Sequence, residues 1–219
     1  MSDFPPIYGI TLREQFYRRQ ITEKHLTERG LQAQWIYGFN GATTGLRASV
    51  AHEYKPDGTP IYMHPSVLAV ALSHVFALQW ACMQGSDEFF IVEDDVVLCD
   101  KFKDKWLELR THVPNEIGVI QAAVACWEDK PAIGINEFLE HRHWPFCAAC
   151  NWWRRDTAEL AQKVIFPLNS PIDILYTSRV FPFVGHAITK ERLAYDHSLL
   201  ARSGKWPSAS VTFGGVEKP

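Results

Sequence analysis

The sequence has no long run of lysine or arginine: 22 basic residues are scattered among 25 acidic ones and leave a formal charge of -3. That absence excludes broad nucleic-acid binding, which needs a cationic surface against the phosphates; a local basic pocket stays open. Cysteine is scarce as well, five residues in 219. An odd count gives no disulfide framework, and Cys147-Ala-Ala-Cys150 has no second pair at zinc-site spacing, so the thiols read as buried residues in a reducing compartment. Internal repeats, low-complexity tracts and a clear linker are missing. The N-terminus, Met-Ser-Asp-Phe-Pro-Pro, has no positive segment ahead of an apolar core. No signal peptide is expected, and the expected location is the cytoplasm, with peripheral association at the cytosolic face of the membrane as a variant. No membrane span is expected either. The longest apolar stretch, Val67 to Met83, contains Ser73, His74 and Gln79 and is slightly short; it predicts a buried helix.

What is present is a globular composition, 47% hydrophobic and 21% charged. One domain over residues 1–202 is expected, followed by a Gly-, Ser- and Pro-rich tail over 203–219. Ile7 to Leu12 reads as a first strand, a polar helix follows from about Glu14 to Arg29 and stops at Gly30, and Gln34 to Gly38 reads as a second strand. Lys55-Pro-Asp-Gly-Thr-Pro60 predicts a hairpin or protruding loop. A helix from Ser66 to about Gln84 then feeds a buried strand at Phe89 to Val92. Later come a helix from Lys101 to His112, a strand at Ile117 to Ala123, a mixed region from Ala125 to Phe146, a helix from Asp156 to Val164 and a short run from Val180 to Ile188. Strands alternating with helices predict an α/β sheet with ligands at the carboxyl ends of its strands.

Glu93-Asp94-Asp95 closes the buried strand and would lie at such an end. In an extended segment Glu93 and Asp95 project to one side and Asp94 to the other, which would aim two hard oxygen ligands at one point. Mg²⁺ or Mn²⁺ uses one or two carboxylates in this way and completes its shell with water and phosphate. A solvated acidic turn is the other reading of the bare triplet. His74 reads as a core histidine that buttresses the acidic loop. Arg13, Arg18 and Arg19 suit phosphate oxygens, and Arg18 and Arg19 read equally as a solvated helix face. The cluster Glu137, Glu140, His141 and His143 matches no standard ligand set and reads as a solvated polar helix end. Trp127, Trp144, Trp152 and Trp153 read chiefly as core.

The landmarks Ile10-Thr-Leu-Arg13 with Arg18-Arg19 behind it, Gln34 to Gly41, Leu72-Ser73-His74, Ile91-Val-Glu-Asp-Asp-Val-Val-Leu98, Cys147 to Leu160 and Pro171-Ile172-Asp173 stand in an order that resembles glycosyltransferase family 25. That group includes lipooligosaccharide and collagen galactosyltransferases. The likeness runs from about Ile7 to Ile188 and is most specific from Leu72 to Leu98. Ala69 and Val70 stand where the family usually has Gly and Cys, and Cys-Ala-Ala-Cys-Asn-Trp-Trp replaces a small-residue run.

The resemblance implies a GT-A fold, a Rossmann-like α/β architecture whose mixed, mostly parallel central sheet is flanked by helices. It also implies metal-dependent, inverting transfer of a hexose, most often galactose, from a UDP-sugar donor to a hydroxyl of a glycan or glycolipid. By the same resemblance Asp95 holds Mn²⁺ or Mg²⁺, Glu93 and Asp94 support it or meet ribose, and His186 is a third ligand. Thr11, Leu12 and Arg13, at the end of the first strand, would face the donor. Inversion needs a general base, for which Asp173 is the first candidate and Glu128 and Asp129 the second. On residue types alone, His186 beside apolar neighbours also reads as structural, and Asp173 also reads as a turn or helix N-cap carboxylate. A binding protein of the same fold without turnover, or a metal-dependent phosphohydrolase using the same carboxylates, are the alternatives.

Overall fold

The computed structural model describes residues 4–123, 125–126, 131–143 and 145–196. The chain opens with β1 (Ile7–Thr11), α1 (Phe16–Glu28) and β2 (Ala33–Tyr37), a strand-helix-strand unit whose strands pair in parallel from Ile7↔Ala33 to Thr11↔Tyr37. Gly30 at φ 66° takes the left-handed conformation that stops the helix, and its amide bonds Thr27 O at 2.9 Å. β3 (Glu53–Tyr54) and β4 (Pro60–Ile61) form the expected hairpin, turning at Gly58. α2 (Pro65–Met83) starts on Pro65, whose fixed φ suits a first helical position. It leads to β5 (Glu88–Glu93) and, after a tight turn, to β6 (Val96–Leu98).

α3 (Phe102–Arg110) and β7 (Ile117–Gln121) follow. The mixed region then resolves into short strands: β8 (Ala125–Cys126), β9 (Ile133–Gly134), β10 (Leu139–His141) and β11 (Pro145–Phe146). Glu140 and His141 therefore lie on a strand, not at a helix end. The Asn136 side chain makes the difference, accepting the Phe138 and Leu139 amides at 2.9 Å and turning the chain into β10. β12 (Cys150–Arg154), α4 (Arg155–Val164), the short α5 (Ile172–Leu175), a π-helical turn at Tyr176–Val180, a 3-10 turn at Phe181–Phe183, β13 (Gly185–Thr189) and β14 (Ala194–Asp196) complete the order.

Eight strands form one sheet in the order β2-β1-β5-β12-β7-β13-β10-β9. Pairing directions make β12 and β10 the two reversed strands; the rest run one way. β5 is an interior strand, paired with β1 and β12, and its two faces are buried in separate clusters, which explains its unbroken apolar run. Phe90 and Val92 pack with Phe4, Phe102, Trp106 and Trp152 on the α1/α3 side, while Phe89 and Ile91 pack with Tyr8, Leu78, Trp153 and Tyr176 on the α2/α4 side. Each large apolar side chain buried this way contributes roughly 1.5–3 kcal/mol. Trp152 and Trp153 thus take the core role expected of them.

α2 is long and apolar enough to cross a membrane by length and composition alone. Leu68, Ala71, Ala77, Leu78 and Ala81 are buried against the fold, whereas Val70, Phe76, Trp80 and Met83 are exposed.

Candidate active site

The parallel strands β1, β2 and β5 all end at one edge of the sheet, where the N-terminus of α1 also lies. Extended geometry stops at Glu93, and Asp94 and Asp95 form the turn into β6. The alternation expected of a strand therefore does not govern the triplet: Glu93 faces α2, and Asp94 and Asp95 together face α1. Asp94 Oδ1 and Asp95 Oδ2 lie 2.8 and 2.7 Å from the same nitrogen, Nη2 of Arg18. Two carboxylate oxygens thus converge on one cationic point.

Asp94 is fixed from three directions. Its Oδ2 accepts the Thr11 hydroxyl at 2.7 Å, its backbone carbonyl accepts the Thr22 hydroxyl at 2.7 Å, and Arg18 holds the other carboxylate oxygen. Burial raises its pKa above the ordinary aspartate value, against the opposing Thr11 hydrogen bond and Arg18 charge. Glu93 is bonded by His74 Nε2 at 2.9 Å. Burial pushes its pKa up, but the His74 hydrogen bond and charge, with Arg18, bring it below the ordinary value. His74 Nδ1 in turn lies 3.5 Å from the Tyr176 hydroxyl, whose own pKa is raised by burial and by the charge of Glu93. His74 has the buttressing place read from the sequence.

The serine before it has a separate task. Ser73 Oγ accepts the Phe39 amide at 2.9 Å and donates to Ala69 O at 2.7 Å, seating the segment after β2 on α2. Gly38 permits this approach, since a Cβ there would lie 2.5 Å from Ser73 Oγ. These elements enclose a cleft of about 200 Å³ lined by Thr11, Leu12, Arg18, Asn40, His74, Glu93 and Asp94 among others. A second hollow of about 400 Å³ lies at the other end of α1, beside His25, Arg29 and Asp100. Arg29 there already bonds Cys99 O at 2.9 Å and Asp100 at 3.2 Å.

Tyr37, at the end of β2, is a feature that sequence reading missed. It is 47% exposed, its ring lies 5.3 Å from the Arg13 guanidinium and 5.8 Å from that of Arg19, and its hydroxyl accepts from Arg19 at 2.9 Å. The available signal was its position as the last residue of a strand beside the first.

The other expected residues divide. Thr11 and Leu12 line the cleft, whereas Arg13, which packs on the Tyr37 ring, and Asp173 are not among its lining residues. Asp173 sits in the first turn of α5, where its Oδ1 accepts the Ile174 amide at 2.9 Å. Pro171, not Asp173, is the N-cap residue; Asp173 is three residues from the Tyr176 that meets His74. His186 is not brought to the acids. Its register through Val119 and Trp153 sets it level with Phe89, four residues or about 13 Å short of Glu93 along the strands and three strands or about 14 Å across. It is buried, stacked on Phe181 at 4.3 Å and 4.7 Å from His141. Glu137 pairs with His112 at 3.8 Å and Glu140 with Arg142 at 2.8 Å, so that cluster is dispersed. Glu128 and Asp129, with Trp127 and Trp144, lie outside the described residues.

Among the described residues no group of three or more His, Cys, Asp or Glu side chains is placed to hold a metal. The donor set fits the narrower case of a hard ion that takes oxygens of Asp94 and Asp95 and finds its other ligands in phosphate and water.

A family model described as glycosyltransferase family 25 (LPS biosynthesis protein) matches residues 4–141. The match spans β1 to β10, and with them the cleft and the acidic turn, and stops before Asp173 and His186. None of the curated proteins compared with the chain matches it. Among solved structures, a crystal structure of a glycosyltransferase involved in the glycosylation of the major capsid of PBCV-1 superposes with a TM-score of 0.51 at 13% identity, over 87% of this chain and 92% of that one. At that identity the likeness speaks for fold, and it bears out the expected sheet flanked by helices.

Proposed function

Since the chain belongs to glycosyltransferase family 25, we propose that it transfers a hexose, galactose first, from a UDP-sugar to a hydroxyl of a glycan or glycolipid, with inversion and with Mn²⁺ or Mg²⁺. The observation that carries the reading is the convergence of Asp94 Oδ1 and Asp95 Oδ2 on one cationic point beside the N-terminus of α1. A departing diphosphate needs positive charge there, and a helix N-terminus with Arg18 beside it favours anions. A bound ion on the two aspartates would neutralise charge developing on the leaving group.

The rest falls to the chain's own side chains. Thr11 and Thr22 hold Asp94 in place, and Tyr176 and His74 hold Glu93. The half-exposed Tyr37, between Arg13 and Arg19, offers a flat face and cations to the nucleoside end of the donor. Asp173 takes the proton of the acceptor hydroxyl as that oxygen bonds the anomeric carbon from the face opposite the diphosphate, whose bond to the sugar breaks. A lipid-linked acceptor suits the exposed Val70, Phe76, Trp80 and Met83 on α2, with which the protein would rest peripherally on a membrane.

The deciding experiment measures UDP, GDP and CMP release from sugar donors with and without Mn²⁺, for wild type and Asp95→Ala. UDP release that needs both metal and Asp95 is expected. Release that survives metal removal and the substitution would overturn the reading.

A further inference from the structure

We infer that Arg18 is a resident counter-cation that holds Asp94 and Asp95 in the metal-free protein, yields them to the divalent ion and turns to the diphosphate, so that metal and donor load the site together. The inference rests on the metal and diphosphate reading of the cleft proposed above.

One nitrogen of Arg18 serves both aspartates, at 2.8 and 2.7 Å. A divalent ion using the same two oxygens would need that place, and two cations cannot share it. The side chain is nevertheless 46% exposed, so the guanidinium itself can pass into solvent, but Asp94 and Asp95 are only 7% and 13% exposed, so it leaves as the ion takes over their charge. It stands in the first turn of α1, where the helix dipole disfavours a cation and where no acidic residue and no side-chain cap offsets it. The aspartates are therefore what holds it, and once they are taken, an arriving diphosphate is the natural partner for both the guanidinium and the helix terminus. The other arginines of this helix differ. Arg19 is engaged by Tyr37 and Glu23, and Arg29, near the far end, is fixed by the carbonyls of Cys99 and His25.

The test titrates Mn²⁺ into the full-length, nucleotide-free protein, with free Mn²⁺ read by electron paramagnetic resonance, for wild type, Arg18→Gln, Arg18→Lys and Arg19→Gln. Arg18→Gln should bind Mn²⁺ about three- to fivefold more tightly, by removing a competitor worth about that factor, while Arg18→Lys and Arg19→Gln stay near wild type. At saturating Mn²⁺, Arg18→Gln should bind UDP about tenfold more weakly. Equal Mn²⁺ affinity in Arg18→Gln and Arg19→Gln, unchanged UDP affinity, or no Mn²⁺ bound by any of the proteins would each overturn the inference. Should Arg18→Gln fail to fold, arginine side-chain NMR of wild type during a Mg²⁺ titration, assigned with Arg18→Lys, replaces it, and an Arg18 signal that does not respond sinks the idea. The Mn²⁺ arm contains no nucleotide. A failed donor screen with the Arg18→Gln shift intact would thus discard the UDP-sugar reading alone, and a normal donor screen without that shift would discard the role of Arg18 alone.

Discussion

Thr11 and Asp94, 83 residues apart in the chain, are joined by a 2.7 Å hydrogen bond from hydroxyl to carboxylate. Both side chains are buried, so the bond ties the end of β1 to the turn after β5 and sets the floor of the cleft. Thr11→Val keeps the shape and leaves a buried carboxylate oxygen without its donor. It should cost about 1–3 kcal/mol in urea unfolding and weaken Mn²⁺ binding, and Thr11→Ser should restore most of both.

His74 orients Glu93 without lining a bond to be broken, so His74→Ala should fold and lose function in the way supporting residues do. A drop of about 10–100-fold in kcat/KM for UDP release is expected. The pair also has a pH signature. The folded pKa of Glu93 lies below the ordinary 4.5, so its stabilising contribution is present above that value and fades as pH falls through the folded one. Acid unfolding of His74→Ala should accordingly show a shallower loss of stability below pH 4.5; an unchanged acid limb would mean the pair carries no such linkage.

Gly38 makes the contact between the segment after β2 and α2 possible. The methyl of Gly38→Ala would stand 2.5 Å from Ser73 Oγ and 3.0 Å from its Cβ, so the hydrogen bond from Phe39 N to Ser73 must break or α2 must shift. A loss of about 1–3 kcal/mol is expected, and the double variant with Ser73→Gly should recover part of it. Denaturant midpoints of the three proteins check the coupling.

Asp173→Asn probes the proposed base. Because Asn keeps an acceptor for the Ile174 amide, the first turn of α5 should stay intact while proton abstraction is lost. The kcat should fall by about 100- to 10,000-fold, with UDP affinity by calorimetry unchanged. Near-normal turnover would move the base elsewhere, first to Glu128 or Asp129.

The parts of this fold that were legible are those where one physical demand dominates. β5 is covered on both faces and so shows an unbroken apolar run, and α2 buries a wide face and so is apolar along its length. The acidic triplet was legible as a site, but its side-chain directions were not, because period-two alternation fails where the strand ends, and it ends at Glu93. β8 to β11 have two or three residues each, too few for any alternation to register. Tyr37 shows only in three dimensions, since what marks it is the approach of Arg13 and Arg19 from another element. The misplacement of His186 has the same origin: a histidine near the end of the fold gives no hint of which end of its strand it occupies.

His186→Phe separates the two readings of that residue. His186 is buried, lies nearly parallel to Phe181 at 4.3 Å and 3°, and its Nε2 has no hydrogen-bond partner among the described residues. Burial, with His141 adding to it, pulls its pKa down to about 3 from the ordinary 6.5. Between those values the unfolded chain binds a proton that the folded one does not, so stability rises with pH and is lost as pH falls from 6.5 toward 3. Phenylalanine keeps the stack and cannot take up the proton. The variant should match wild type at pH 7 to within about 1.5 kcal/mol, and it should lose less stability than wild type as the pH is lowered to 4. Its Mn²⁺ affinity and UDP release should be unchanged, because the ring sits at the end of the sheet away from Glu93. Loss of Mn²⁺ binding in this variant would instead return His186 to the ligand set and require β13 to move.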